Sequence, residues 1–305
     1  MKLPSVLSDP WIRWKARLHE IDVDRFQVRL ARTAEEYRDA FRLVHVGYVF
    51  QGIEPLKAID FRMTEQHVLA EAIVLVAYEG SQLVGTISVT KDSAAGLPMD
   101  KDYPEGLAAL RRGGAQISEI GSLAVVRRCW HSSLMPLLGM AAGRVGFRVH
   151  KSTHSVIGVH PKAAPFYRAL WDFQPLGHVR PHAELSAPVV GLVHERSRVE
   201  AHMTRCYPHR MTKGEQRYLV DNTFGERVPS GLYLPEDVPE REWPRFKMPR
   251  DVFRELFIDR TNRLAELSAS TAHRLREQRS EETIAVMSAP QKNAAHVGKS
   301  SQART

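Results

Sequence analysis

The sequence predicts an α/β (α+β) fold: a mixed central sheet with helices on both faces, and a helical C-terminal extension. Three observations carry this expectation. Between residues 26 and 195, short apolar runs bounded by Gly, Pro or charged residues alternate with stretches of helical period. The runs fall in the order strand, helices, three strands, helix, strand, helix and one or two last strands, which implies a sheet covered on both faces. Two of them, 73–78 (IVLVAY) and 83–90 (LVGTISVT), are parted only by Glu79-Gly80-Ser81-Gln82. So short a link of turn residues makes an antiparallel hairpin.

Composition bounds the rest. A chain of 305 residues holds one large domain and an appendage. With 43% hydrophobic and 26% charged residues it reads as an ordinary globular protein. No apolar run reaches the length of a bilayer span. The first residues lack the continuous apolar core of a signal peptide. Cys129 and Cys206 have neither metal-ligand nor disulfide spacing, so both are expected as reduced thiols in the cytoplasm. The net charge of +8 favours an acidic partner. Zinc-finger, helix-turn-helix and basic–aromatic stacking motifs are missing, so nucleic acid is not the partner expected.

The elements follow in order. Residues 10–18 (PWIRWKARL) read as a short amphipathic helix on the outside of the domain, or as a peripheral membrane contact with its tryptophans at headgroup level. Residues 26–31 (FQVRLA) alternate as a half-buried strand. Thr33 and Glu36 form a capping box, and Tyr37, Phe41, Val44 and Tyr48 give the next helix its apolar stripe as far as Gly52. Residues 64–71 offer a short helix, and the hairpin follows. Residues 93–114 are an insertion, loop as far as Pro98 and helical over 104–112. Residues 115–126 (AQISEIGSLAVV) are a buried strand. A helix over 132–149 carries Gly139, Gly143 and Gly146, which permit close packing. Residues 153–160 (THSVIGVH) form a strand, 161–171 a helix, and 189–194 the last strand. The chain divides into an N-terminal helical segment (1–25), a main domain (26–198), a helical extension (199–280) and a disordered tail (281–305).

The residue that asks for a chemical explanation is Glu119, a carboxylate inside the apolar run of 115–126. Counting by twos, it shares a face with Ile117, Leu123 and Val125. A buried carboxylate must pair, bind a metal, or hold its proton near neutral pH. Gly121-Ser122 beside it suits a β-bulge, and bulges gather at active sites. Glu119 is therefore a candidate general base. A water-facing edge residue, or a partner of Arg111 or Arg112, is the plainer alternative. The turn RRCWHSS (127–133) then opens a helix whose N-terminus favours an anion, with Arg127, Arg128, Ser132 and Ser133 at hand. The histidines lack zinc-ligand spacing, so no metal site is expected.

The same order of elements resembles the GNAT acyltransferase fold. Two stretches carry the likeness: the Glu119 strand running into a helix through a basic turn, and HPKAAPFYRALWDFQPLG (160–177) with its aromatic pair Phe166-Tyr167. The glycine-rich pyrophosphate loop of acetyl-CoA enzymes has no match in RRCWHSSLMPLLG (127–139). Nearer by pattern are acyl-homoserine-lactone synthases and, through LPMDKDYPEGLAALR (97–111), EIGSLAV (119–125) and HPKAAPFY (160–167), long-chain N-acyl amino acid synthases.

The resemblance implies an N-acyltransferase that moves a long acyl chain from acyl carrier protein, or acyl-CoA, to the α-amine of an amino acid. It implies Glu119 as base and Tyr167 as proton donor to the leaving thiolate. No cofactor is held permanently; the 4'-phosphopantetheine-linked donor is a cosubstrate. Its arm is expected along Leu123, Ala124 and Val125, with its phosphate near Arg127, Arg128, Ser132 and Ser133. A basic surface including Arg144, Arg148 and Lys151 suits the acidic carrier protein. Trp130, Met135, Phe147, Phe166 and Trp171 are candidates for the acyl slot. Arg62, Lys101 or Arg111 is expected to meet the acceptor's carboxylate. Two other readings stay open: an acetyl-CoA-dependent N-acetyltransferase of a small amine or protein, and a non-catalytic module that binds an acidic partner.

Overall fold

The computed structural model describes residues 5–15, 25–55, 61–206, 223–224, 232–233, 248–259 and 263–279. The expected tail and nearly all of the proline-rich stretch from 229 lie outside these. The first helix, α1 (Ser5–Lys15), lies against the outside of the domain, with Trp11 and Trp14 exposed and Ile12 packed inward. β1 (Gln27–Leu30) leads into α2 (Ala34–Phe50), where the Thr33 side chain accepts from the Glu36 N–H and Glu36 accepts from the Thr33 N–H. The capping box is therefore formed as read. β2 (Ala72–Glu79) and β3 (Gln82–Lys91) are the antiparallel hairpin. Gly80 takes φ 59° in the turn between them, a conformation glycine adopts without strain.

The insertion forms a 3₁₀ turn (Pro98–Lys101) and α3 (Pro104–Arg112). β4 (Ile117–Val125) follows, then α4 (Leu134–Arg144), prolonged by a π turn (Val145–Val149). The remaining elements of the sheet region are β5 (His154–Val159), α5 (Ala164–Trp171), β6 (Gln174–Pro175), β7 (Arg180–Pro181), β8 (Pro188–Glu195) and α6 (Arg196–Cys206). The strand order is β6-β8-β5-β4-β3-β2-β1, completed by β9 (Leu232–Tyr233) in parallel with β1. Among the described residues only the β4–β5 and β1–β9 pairs are parallel, so the sheet is mixed as expected.

Both faces of β2 are apolar because both are covered. Ile73, Leu75 and Ala77 meet Leu134, Leu138 and Ala141 of α4, while Val74 and Val76 meet Tyr37 and Phe41 of α2. Met248, Val252, Phe253, Leu256 and Phe257 join the α2-side cluster, so this part of the extension completes a core. α6 runs from Arg196 to Cys206, across the expected boundary at 198/199. A helix that continues directly out of β8 leaves no linker there.

β4 is irregular in two places. Thr86 pairs with Ala124 and Ser88 with Gly121, so Ile87 alone faces both Ser122 and Leu123. This is a β-bulge, with Ser122 at φ 49°. It corrects the face count. Ile117 packs with Met99 and Tyr103, whereas Leu123 and Val125 turn to the α4 cluster, because the extra residue reverses the alternation. The second irregularity is a splay. β5 pairs with β4 only as far as Glu119–Val156, although both strands run on, so a V-shaped gap opens just past Glu119.

Candidate active site

Glu119 stands at the closed end of this gap and is 8% exposed. Its Oε2 accepts a hydrogen bond from the Met99 N–H at 2.8 Å, donated by the 3₁₀ turn of the insertion. Burial pushes its pKa up to about 8; the Met99 N–H opposes this, and the Asp100, Asp102 and Asp92 carboxylates add to it. At neutral pH the carboxyl is therefore mostly protonated, and its minor deprotonated fraction is a strong enough base to take a proton from an amine.

A polar chamber of about 90 Å³ opens beside it, lined among others by Tyr48, Arg62, Gln66, Lys101, His182 and Glu184. Arg62 pairs with Glu54 at 3.1 Å and Glu184 at 3.2 Å, and Lys101 meets Glu184 at 2.7 Å. Two cations thus converge on one carboxylate. The Glu184 N–H donates to His182 Nδ1 at 3.0 Å, which leaves the His182 N–H on Nε2. Gln66 is buried, and its Oε1 has no hydrogen-bond partner among the described residues.

Through Tyr48, Ile120, Gly121, Ser122 and Gly158 the chamber joins a second, mostly apolar cavity of about 660 Å³. Leu123, Ala124, Val125, Trp130 and Trp171 line it, as do Met135, Gly139, Gly143 and Phe147 of the α4 stripe. A Cβ at Gly139 would lie 2.6 Å from the Trp171 ring, so that glycine is what lets α5 close over the cavity. Tyr167 also lines it, held edge-on against Phe166 and Phe173 with ring centroids 5.5 and 6.1 Å away. Burial, then Tyr48, pushes the Tyr167 hydroxyl up to about 12. It therefore keeps its proton at neutral pH.

The remaining expected residues fall in varied places. Val126 donates to the Val84 carbonyl on β3, so alternation turns the Val125 backbone groups toward the gap. There the Trp130 Nε1–H donates to the Val125 carbonyl at 2.9 Å. At the start of α4, Ser132 Oγ donates to the Cys129 carbonyl and accepts from the Leu134 N–H, and Ser133 is buried. The Arg127 guanidinium sits over the Phe50 ring, and Arg128 is paired with Glu79. Arg62 and Lys101 reach the chamber. Arg111 lines neither cavity; it clamps Asp92 and Asp100, each at 2.7 Å, because α3 points it along the outside of the insertion. Phe166 packs against Trp171 in the core behind the cavity. Arg144, expected on a docking surface, is 1% exposed, since it falls on the inward side of α4.

Tyr48, Gln66, His182 and Glu184 were not singled out from sequence. Tyr48 belonged to an apolar helical stripe and looked like core, and the other three carried no spacing signal.

The sequence model of one family, the N-acyl amino acid synthase FeeM, matches residues 39–195. No curated protein matches the chain. Among solved structures, FeeM, an N-acyl amino acid synthase from uncultured soil microbes, superposes with a TM-score of 0.52 at 22% identity, over 58% of this chain and 95% of that one. BjaI, a CoA-dependent acyl-homoserine lactone synthase solved with SAM and isopentyl-CoA, gives 0.47 at 17% identity, over 72% of this chain and 98% of that one. An acyl-CoA N-acyltransferase from Pseudomonas aeruginosa gives 0.38 at 14%, over 55% and 97%.

Proposed function

The chain belongs to the FeeM N-acyl amino acid synthase family and is an acyltransferase; from that premise we propose that it moves a long acyl chain from a phosphopantetheine thioester to the α-amine of an amino acid. The observation that carries this reading is the position of Glu119, a buried carboxyl with its pKa near 8 where a small polar chamber meets a large apolar cavity. An acetyl group has no use for a cavity of about 660 Å³; a fatty chain does.

The acceptor occupies the chamber, with its carboxylate toward Arg62 and Lys101 and its ammonium toward Glu119. Glu119 takes the ammonium proton, and the freed amine attacks the thioester carbonyl. The C–N bond forms, the C–S bond breaks, and the leaving thiolate takes a proton from the Tyr167 hydroxyl. The second proton lost by the nitrogen restores Tyr167 through solvent. The pantetheine arm lies along the gap beside Leu123, Ala124 and Val125. Its phosphate lies near Arg127 and the N-terminus of α4, where the helix dipole favours an anion. A donor with a single phosphate, as on an acidic carrier protein, suits this basic chain better than coenzyme A does.

The test is mass spectrometry of lipids from a bacterial host that expresses the chain, paired with donor assays. A new N-acyl amino acid that disappears with Glu119→Gln is expected, with long-chain carrier protein consumed in preference to acetyl-CoA. Turnover of acetyl-CoA alone would overturn the reading. In the same assays Tyr167→Phe keeps the ring packing and is expected to lower kcat tenfold or more, by roughly the weight of one general acid. An unchanged kcat would leave Tyr167 a packing residue.

A further inference from the structure

The reacting carbonyl has one place to stand. With the acceptor amine in the polar chamber and the acyl chain in the apolar cavity, the carbon is attacked where the two spaces join. When nitrogen adds to it, the carbonyl π pair moves onto oxygen, and that oxyanion needs a fixed hydrogen-bond donor. Three polar side chains line both spaces: Tyr48, Ser122 and His182. His182 accepts from the Glu184 N–H and stands 3.7 Å from the Asp102 carboxylate, a neighbour that would repel an oxyanion.

Tyr48 is placed by the end of α2. Gly47 brings that helix onto β4, where an added Cβ would lie 3.9 Å from the Ala124 Cβ, so the next residue stands beside the bulge. The Tyr48 carbonyl accepts from the Ile53 N–H at 2.9 Å and the Glu54 N–H at 3.4 Å. This turn brings Glu54 to Arg62, whose guanidinium lies 5.4 Å from the centroid of the Tyr48 ring. The ring is thus set in place before substrate arrives. Among the described residues its hydroxyl is engaged in no hydrogen bond. Unlike Gln66 Oε1, the hydroxyl oxygen is not sealed in, so it opens into the space that the side chain lines. Burial raises its pKa; Arg62 opposes this, and Glu54 and Glu119 add to it. Tyr48 in turn helps to raise Tyr167. The hydroxyl therefore keeps its proton at neutral pH and lies within electrostatic reach of both the base and the acid.

We propose that the Tyr48 hydroxyl donates a hydrogen bond to the thioester carbonyl oxygen and to the oxyanion that forms on it, a catalytic part separate from those of Glu119 and Tyr167. This part rests on the N-acyl transfer reading. Tyr48 keeps its proton throughout: the oxyanion re-forms the carbonyl, the C–S bond breaks, and Tyr167 protonates the thiolate.

The test compares the full chain with Tyr48→Phe, using hexadecanoyl carrier protein and the amino acid that lipid analysis identifies as acceptor. Phenylalanine keeps the ring beside Arg62 and removes only the donor. kcat is expected to fall about 100-fold, the weight of one oxyanion donor, while both KM values change by less than about threefold and the loss persists on the alkaline plateau of the pH profile. Calorimetry adds the N-hexadecylsulfonyl derivative of the same amino acid, whose tetrahedral sulfur holds an oxygen where the oxyanion forms. Its affinity is expected to fall about tenfold in the variant, as for one lost hydrogen bond. An unchanged kcat, or equal binding of the sulfonyl compound by both proteins, would overturn the proposal and leave N-acyl transfer standing. So would a loss that vanishes on the alkaline plateau, since Tyr48 would then act only through the Glu119 pKa. A wild type that turns over no donor would remove the reaction and this proposal together.

Discussion

Glu119 sits in surroundings that make its proton affinity a measurable property of the active site. With a pKa near 8, only the minor, deprotonated fraction can accept the ammonium proton at neutral pH. The rate is therefore expected to rise about tenfold per pH unit below that value and to level off above it. Glu119→Gln should lower kcat roughly 10²- to 10⁴-fold and abolish this limb. A wild-type profile flat between pH 6 and 9 would remove the residue from the mechanism. Stability carries the same signature with a definite sign. The folded state holds the proton where the unfolded chain has released it, so stability falls as pH rises from the ordinary carboxylate range through about 8. Glu119→Gln escapes that loss. Its Tm is expected to exceed the wild type at pH 9, by an effect on the order of a few kcal/mol, and to match it near pH 4.

The elements around Glu119 hold it in tune. Arg111 ties Asp92, past the end of β3, to Asp100 in the turn that presents the Met99 N–H. Arg111→Ala would loosen that donor and leave two carboxylates unneutralised, and both changes push the Glu119 pKa up. The pH–rate limb should move to the alkaline side; an unmoved limb would make Arg111 irrelevant to the base. On the opposite face, Gly139→Ala forces a Cβ against the Trp171 ring. It is expected to destabilise by about 1–3 kcal/mol, read as a lower Tm, with long donors losing more rate than short ones as the cavity narrows. Elements of this kind were legible in the sequence wherever period and punctuation agreed. The box at Thr33 and Glu36, the Gly80 turn and the apolar run of β4 each carry their own local signal. The extended stretch at 173–176 is β6, whereas the two-residue strand β7 and the β1–β9 pairing carry no such signal. The bulge was foreseen at Gly121-Ser122, yet its consequence for Leu123 and Val125 was not, because counting by twos assumes an unbroken pleat.

Over the whole molecule, the site is gathered from residues as far apart as Tyr48, Gln66, Glu119 and Glu184. Only Glu119 among these stood out locally, because it alone contradicts its surroundings. The others are ordinary until the fold brings them together. Three buried titratable groups also set how the whole chain responds to pH. His150 and His194 are held neutral by burial, at about 3 and about 4, whereas Glu119 is held protonated up to about 8. Unfolded histidines take up protons near pH 6.5, so each of these two makes stability fall as pH drops from about 6.5 toward its folded value. Glu119 makes stability fall as pH rises over the range from about 4.5 to about 8. Each group contributes a slope near 1.4 kcal/mol per pH unit within its window. Between about 4.5 and 6.5 two histidines outweigh one carboxyl. Above 6.5 the carboxyl acts in the same direction as His202, whose pKa burial lowers but Cys206 and the Ala169 carbonyl raise overall. From these groups the chain is expected to be most stable near pH 6.5, with Tm falling on both sides. Glu119→Gln should flatten the alkaline side and leave the acid side, and His194→Phe should make the acid side shallower. A Tm that climbs steadily from pH 6.5 to 8 in the wild type would show that Glu119 ionises freely, and with that its place as a buried base would be lost.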